Sequence, residues 1–155
     1  MRLIRSVAAV TISFIAITTG SLSAHAAPVI ELLTTSGCAC CELWADRMRK
    51  AGFVVEVKHL GMGQLVQAKL KAGVPIQLAA CHTAKVGGYV IEGHVPPADV
   101  VRLLSEKTEA KGLIVKGMPI GSPGMESGTR REAYDVLLFQ ADGTWKTYVS
   151  YSALP

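Results

Sequence analysis

Three of the four cysteines fall within four positions, Cys38-Ala39-Cys40-Cys41, and the fourth stands beside an imidazole at Cys81-His82. A thiolate is the nucleophile of disulfide exchange and also a preferred ligand of soft metals. The pattern therefore points to thiol redox chemistry, metal binding, or both. Two structural disulfides are the ordinary reading of an even cysteine count, but the spacing fits it poorly. A staple gains most by closing a long loop, Cys40-Cys41 pairing would make a strained vicinal ring, and only Cys81 can close a long loop with the cluster. Cys38 and Cys41 have the Cys-x-x-Cys spacing of disulfide oxidoreductases. Cys40 inside that pair would compete in exchange, whereas for a metal it is one more sulfur.

Other soft donors lie downstream. His94 sits in Gly93-His94-Val95-Pro96, and Met118 and Met125 belong to a Gly/Pro-rich stretch without helical periodicity. Each has a plain alternative: a buried cysteine with a surface histidine at 81–82, a solvated His94, and methionines as core filler. Taken together, thiolate, thioether and imidazole are the ligand set that selects Cu(I). Zinc would accept three cysteines and a histidine but gains little from methionine. His59 and Met62 read as structural or solvated. No Ser, His and acidic residues are spaced as a hydrolase would need.

The elements around these residues can be read from periodicity and breakers. Val29–Leu33 is a strand, Thr34–Gly37 a turn, and 42–51 a helix with Trp44, Met48 and Ala51 on one face. Residues 53–57 form a second strand, and 64–72 a short helix with Val66 and Leu70 one turn apart. A loop then reaches Cys81-His82. Lys85–Glu92 is a hairpin turning at Gly87-Gly88, and Pro96-Pro97 opens a helix whose Val100, Leu103 and Leu104 face inward. Residues 117–128 are a long loop, and 134–139 with 145–149 form a last hairpin across Asp142-Gly143. This order predicts an α/β, thioredoxin-like sandwich: a mixed sheet with flanking helices and an added C-terminal hairpin. In it the cysteine cluster lies between the first strand and the first helix, where unpaired helical amides and the dipole favour thiolates. The loop before the hairpin approaches the same place, so Cys81, with His82 or His94, is expected to face the cluster under the Met118–Met125 loop.

Bulk properties narrow the classes further. Residues 1–26 run from Arg2 and Arg5 through an apolar stretch to Ala24-His25-Ala26, the pattern of a cleaved secretory signal. The apolar run is too short to span a bilayer, which takes about 20 residues. Cleavage leaves one domain, 27–155, with no expected membrane span, and lowers the formal charge from +4 to +2 by removing two arginines. That balance does not argue for nucleic acid.

Four segments in order carry a family resemblance: Thr35-Ser-Gly-Cys-Ala-Cys-Cys41, Ala80-Cys-His-Thr-Ala84, Gly88-Tyr-Val-Ile-Glu-Gly-His-Val-Pro96, and Gly117-Met-Pro-Ile-Gly-Ser-Pro-Gly-Met-Glu126. Over roughly residues 28–150 the chain resembles the CopG-type copper-resistance proteins, a periplasmic family with a thioredoxin-like fold. The resemblance implies several copper ions in a sulfur-bridged cluster held by Cys38, Cys40, Cys41 and Cys81. His82, His94, Met118 and Met125 would be ligands or neighbours of the metal. It also implies a redox role in copper handling and other periplasmic copper-handling proteins as partners. One departure is visible: Ala39 stands where the family usually has glycine, which matters if that position needs a positive φ.

The leading expectation is thus a periplasmic Cu(I)-binding protein for copper resistance or trafficking. The alternative is a thiol–disulfide or copper-linked oxidoreductase using Cys38 and Cys41, and whether the site turns over is open. Zinc-binding and purely structural readings rank lower. Export has its own test: N-terminal sequencing of the protein from its native host should begin at Ala27, and soluble protein that starts at Met1 would remove the compartment argument.

Overall fold

The structure, a computed structural model, describes residues 27–155. The signal-peptide assignment therefore lies outside the described residues. Strand β1 (Val29–Thr34) leads through a turn to helix α1 (Ala39–Lys50), then come β2 (Val54–His59) and α2 (Met62–Lys71). A single 3-10 turn, Ile76–Leu78, precedes the hairpin of β3 (Thr83–Val86) and β4 (Tyr89–Glu92). Helix α3 (Pro97–Glu106), β5 (Gly112–Ile114), β6 (Tyr134–Phe139) and β7 (Trp145–Tyr151) complete the chain. Among the described residues the seven strands form one mixed sheet in the order β2-β1-β3-β4-β5-β6-β7.

Strand direction decides where the chemistry gathers. β1 pairs antiparallel with β3, Leu33 opposite Thr83, so the chain leaving β1 and the chain entering β3 are neighbours. β3 pairs antiparallel with β4, Thr83 opposite Glu92, which brings the exit of β4 to the same end. β5 runs parallel to β4, Glu92 beside Ile114, so it also exits there. Cys38–Cys41 after β1, Cys81-His82 before β3, His94 after β4 and the methionine loop after β5 thus all leave the sheet at one end.

Helices fill both faces. Trp44, Ala45 and Met48 of α1 and Val100 and Leu103 of α3 pack on Ile30, Leu32, Ala84, Ile91, Leu113 and Leu138. On the opposite face Ala72, Val74 and Leu78 cover Val90, Ile114 and Phe139. The alternation of Ile91 and Val90, or Leu113 and Ile114, between the two clusters is the strand period of two. Each large apolar side chain so buried contributes about 1.5–3 kcal/mol. Trp44 adds a directed contact, its Nε1–H donating to Val95 O at 2.9 Å, which ties α1 to the segment that carries His94. The C-terminal hairpin is fastened to α3 by Tyr151, whose hydroxyl donates to Asp99 Oδ2 at 2.8 Å.

Several details differ from the sequence reading. Helix α1 begins at Ala39, so the cysteine cluster lies in its first turn rather than before it. Ala51 follows the helix and is exposed. In α2 the inward face is Leu65 and Lys69, while Leu70 is 50% exposed, because the helix buries a lysine in preference to a leucine. Strand β5 has three residues and carries no period of its own; it inserts between the β3–β4 hairpin and the last hairpin, making the sheet continuous. Ala39 has no positive φ among the described residues, where Lys107 is the one non-glycine that does. A helical first position accepts alanine readily.

Loop 117–128 closes onto α1 through glycine. At Gly124, φ is +86°, and a Cβ there would sit 2.6 Å from Cys40 O and 2.7 Å from Trp44 N. Gly128 also has a positive φ, +57°, but open space around it. Gly124→Ala should therefore lower unfolding stability by about 1–3 kcal/mol in urea titrations, clearly more than Gly128→Ala, where only backbone strain is added. Equal losses would mean that the loop does not press on α1.

Candidate metal centre

Cys38 caps α1 at its N-terminus: its carbonyl accepts the amides of Cys41 and Glu42 at 3.1 and 3.2 Å. Gly37, at φ +80°, makes the turn that brings the chain from β1 into this position. The cysteine side chains thus emerge at the N-terminus of the helix, beside its first-turn amides. Cys38 and Cys41 form a disulfide, leaving Cys40 and Cys81 as free thiols. Cys40 Sγ lies 3.6 Å from Cys38 Sγ. All four cysteine sulfurs are within 4.8 Å of one another.

A second group shares Cys81. Donor atoms of Cys81, His82 and His94 also lie within 4.8 Å of one another. Cys81 Sγ is 3.1 Å from His94 Nε2 and 3.4 Å from His82 Nδ1. His94 Nδ1–H donates to Pro123 O at 2.9 Å, which leaves Nε2 unprotonated and directed at the sulfur. A backbone carbonyl on the far nitrogen is the usual way a metal-ligating imidazole is oriented. His82 is fully buried, tilted against Trp44 at 4.6 Å between centroids and edge-on to His94 at 5.0 Å. Its Nε2 has no hydrogen-bond partner, an unusual state for a buried polar atom.

The electrostatics keep these donors neutral in the metal-free protein. Burial, with His94 and Lys69 nearby, holds the His82 pKa far below the usual imidazole value. Burial likewise lowers that of His94, against the opposing bond to Pro123. The Cys81 thiol is pushed up to about 12, first by burial and then by Cys40. Neutral imidazoles are ready ligands, whereas Cys81 must release its proton when a metal binds.

The methionines and His59 occupy the margin. Met118 is 51% exposed at the start of its loop. Met125 is half-buried, its amide donating to Ser122 O and its carbonyl accepting from Gly121. The loop reaches the site through Pro123 and Gly124, and Glu126 secures it by accepting from Gly124 N–H at 2.9 Å and pairing with Arg47 of α1 at 2.7 Å. His59 is exposed and paired with Glu42 at 3.0 Å. Sequence reasoning missed Lys69, Glu92 and Thr83, a buried polar set next to Cys81-His82. A clue was available in Glu92, an acidic residue closing an otherwise apolar strand.

Donor chemistry and spacing fit a thiophilic metal. Zinc–sulfur bonds are about 2.3 Å, so two sulfurs sharing one ion of similar size stand at most roughly 4.6 Å apart, close to the separations found. The disulfide must first be reduced before Cys38 and Cys41 can ligate, whereas Cys40, Cys81, His82 and His94 need no reduction.

Comparison with known proteins agrees with this chemistry. A family model described as "Protein of unknown function, DUF411" matches residues 78–125, the stretch from the 3-10 turn through Met125. No curated protein matches the chain. Two solved structures are similar over most of it. "Copper resistance protein copG- Form 2" is 35% identical, covers 81% of this chain and 98% of its own, and superposes with a TM-score of 0.74. "Copper resistance protein copG- Form 1" is 35% identical, covers 80% and 97%, and gives 0.75. With that identity over nearly the whole domain, and the cysteine–histidine donors gathered at one end of the sheet, this chain belongs to the CopG-type copper-resistance family.

Proposed function

We propose that this protein is a periplasmic copper-binding protein that holds Cu(I), as several ions bridged by cysteine sulfur, for copper resistance or trafficking. The observation that carries the reading is the convergence of four sulfurs and two neutral imidazoles from three separate segments. Soft donors in that number favour Cu(I) over the harder divalent ions. Cys38, Cys40, Cys41 and Cys81 supply the thiolates, and His94 and His82 are the nitrogen donors. Met118 and Met125, on the loop that carries Pro123 and Gly124, complete the set as thioether ligands or neighbours of the metal. We read the β1-α1-β2-α2-β3-β4-α3 portion as a thioredoxin-like scaffold with β5, β6 and β7 added. Export by residues 1–26 would put the site where copper enters the cell envelope. Among the described residues no helix is long and apolar enough to cross a membrane.

Cys38 and Cys41 can alternate between a disulfide and two metal-binding thiolates. Opening the disulfide takes two electrons and two protons from an external dithiol, which is itself oxidised to a disulfide, and metal binding then releases the protons from the Cys38 and Cys41 thiols. The disulfide is also the observation that favours a second reading, a thiol–disulfide or copper-linked oxidoreductase working through Cys38 and Cys41. Other periplasmic copper-handling proteins would be its partners in either case.

Metal analysis decides first. The mature protein, reduced and purified anaerobically with copper and zinc both offered, should carry copper and outcompete a Cu(I) chelator. Preferential loading with zinc would turn the reading to a structural zinc site. Cys40→Ser separates the remaining two. If metal binding is the task, this change lowers copper stoichiometry or weakens Cu(I) binding by roughly 10-fold or more, about 1.4 kcal/mol. If exchange is the task, copper loading survives and the Cys38/Cys41 pair retains strong catalytic disulfide exchange.

A further inference from the structure

Beside Cys81 lies an ion pair that the donor set does not account for. Lys69 of α2 and Glu92 at the end of β4 are 5% and 0% exposed, with Nζ 2.6 Å from Oε1. The Glu92 carboxylate accepts two further bonds: Ala80 N–H donates to Oε1 at 2.7 Å and the Thr83 hydroxyl to Oε2 at 2.6 Å. Lys69 Nζ also donates to Thr83 Oγ1 at 2.9 Å. Ala80 and Thr83 are the residues on either side of Cys81-His82. One carboxylate therefore holds both ends of the dipeptide that carries two of the donors.

The backbone there needs such a hold. Residues 79–82 belong to no helix or strand, and apart from the Glu92 carboxylate their tie to the end of β4 is a backbone bond, Gly93 N–H donating to His82 O at 3.1 Å. Gly93 itself is confined, since a Cβ would meet Val115 O at 2.4 Å and Ala80 Cβ at 2.7 Å. Stability is a poor explanation for the pair, because well-packed apolar residues in place of a buried ion pair are often as stable or more so.

We propose that Glu92, neutralised by Lys69, is the positioning residue of the metal centre: it clamps residues 80–83 so that the Cys81 sulfur faces Cys40 and His94. It acts through Cys81 and does not touch the metal. The proposal rests on the metal-binding reading above, and its test is built to separate the two.

Two double variants isolate the clamp from the charge. Lys69→Met with Glu92→Leu removes both the charges and the clamp. Lys69→Met with Glu92→Gln removes the charges but keeps an amide oxygen for Ala80 N–H and an amide NH2 for Thr83 Oγ1. Anaerobic competition of the reduced proteins with a Cu(I) chelator should show the leucine variant weakened roughly 10–100-fold, the range for lost outer-shell partners of metal ligands. The glutamine variant should recover most of that loss. In a Cys81→Ser background the difference between the two should shrink, because of the clamped dipeptide only His82 then remains as a donor. Wild-type affinity in the leucine variant, or an undiminished difference between the two in the Cys81→Ser background, overturns the proposal.

A readout without copper covers failure of the metal reading. Iodoacetamide alkylation of Cys81 in the reduced, metal-free protein, followed by peptide mass, should be faster in the leucine variant and near wild-type in the glutamine variant. Equal rates in all three would sink the clamp even if copper binds. Should the leucine variant not fold, Thr83→Val keeps the ion pair and drops one strut, and the same two measurements should move in the same direction with smaller amplitude.

Discussion

The arrangement of strand directions at one end of the sheet is the constraint on which everything else here depends. β1, β4 and β5 run outward at that end and β3 runs inward from it. Segments separated by some forty residues are thereby placed side by side without any contact between their own side chains being required first. Ladder hydrogen bonds in the middle of a sheet leave little freedom of register, since a slip of one residue turns every side chain to the other face. The buried alternation of Ile91 and Val90 or Leu113 and Ile114 between two cores makes such a slip costly.

Within that frame, three kinds of interaction set the geometry of the donors. Helix α1 presents Cys38, Cys40 and Cys41 at its first turn, anchored by the burial of Trp44 and Met48 and by the Trp44 bond to Val95 O. The loop after β5 reaches back over the helix, with Pro123 orienting His94 and Gly124 allowing close backbone approach to Cys40. A buried carboxylate beside the β3–β4 hairpin grips the turn that bears Cys81 and His82. The three holds come from three different elements, so the site is over-determined by its surroundings. Such support keeps donors close to a productive geometry before the ligand arrives.

The cost of this arrangement is electrostatic. An unpartnered His82 Nε2, a thiol raised far above its usual range and a buried lysine–glutamate pair would each be unfavourable in an inert core. Their concentration around Cys81 is what a site built for a cation would tolerate, because a bound metal replaces the thiol proton and gives the sulfur a stronger partner. The outer surface, by contrast, follows ordinary rules, with exposed pairs such as Arg102–Glu106 and Lys58–Glu31 that each contribute little.

Local chemistry was legible in the amino-acid sequence because it depends on residue type and near neighbours. The cysteine cluster, the Cys81-His82 step, the β3–β4 hairpin at Gly87-Gly88 and the helix after Pro96-Pro97 all rest on spacings of a few residues. Family likeness was legible for the same reason, in four short segments taken in order. Burial and distance in space were not. A helix face read from apolar period selected Val66 and Leu70, whereas α2 turns Leu65 and Lys69 inward, since the partner of Lys69 is Glu92, some twenty residues further along the chain. Strand β5 is too short to declare itself and exists because β4 and β6 each offer it an unpaired edge. Pairing among the cysteines, the tautomer of His94 and the grip of Glu92 on residues 80 and 83 were likewise decided only by tertiary structure. Each depends on groups distant in sequence that meet only once the sheet has closed.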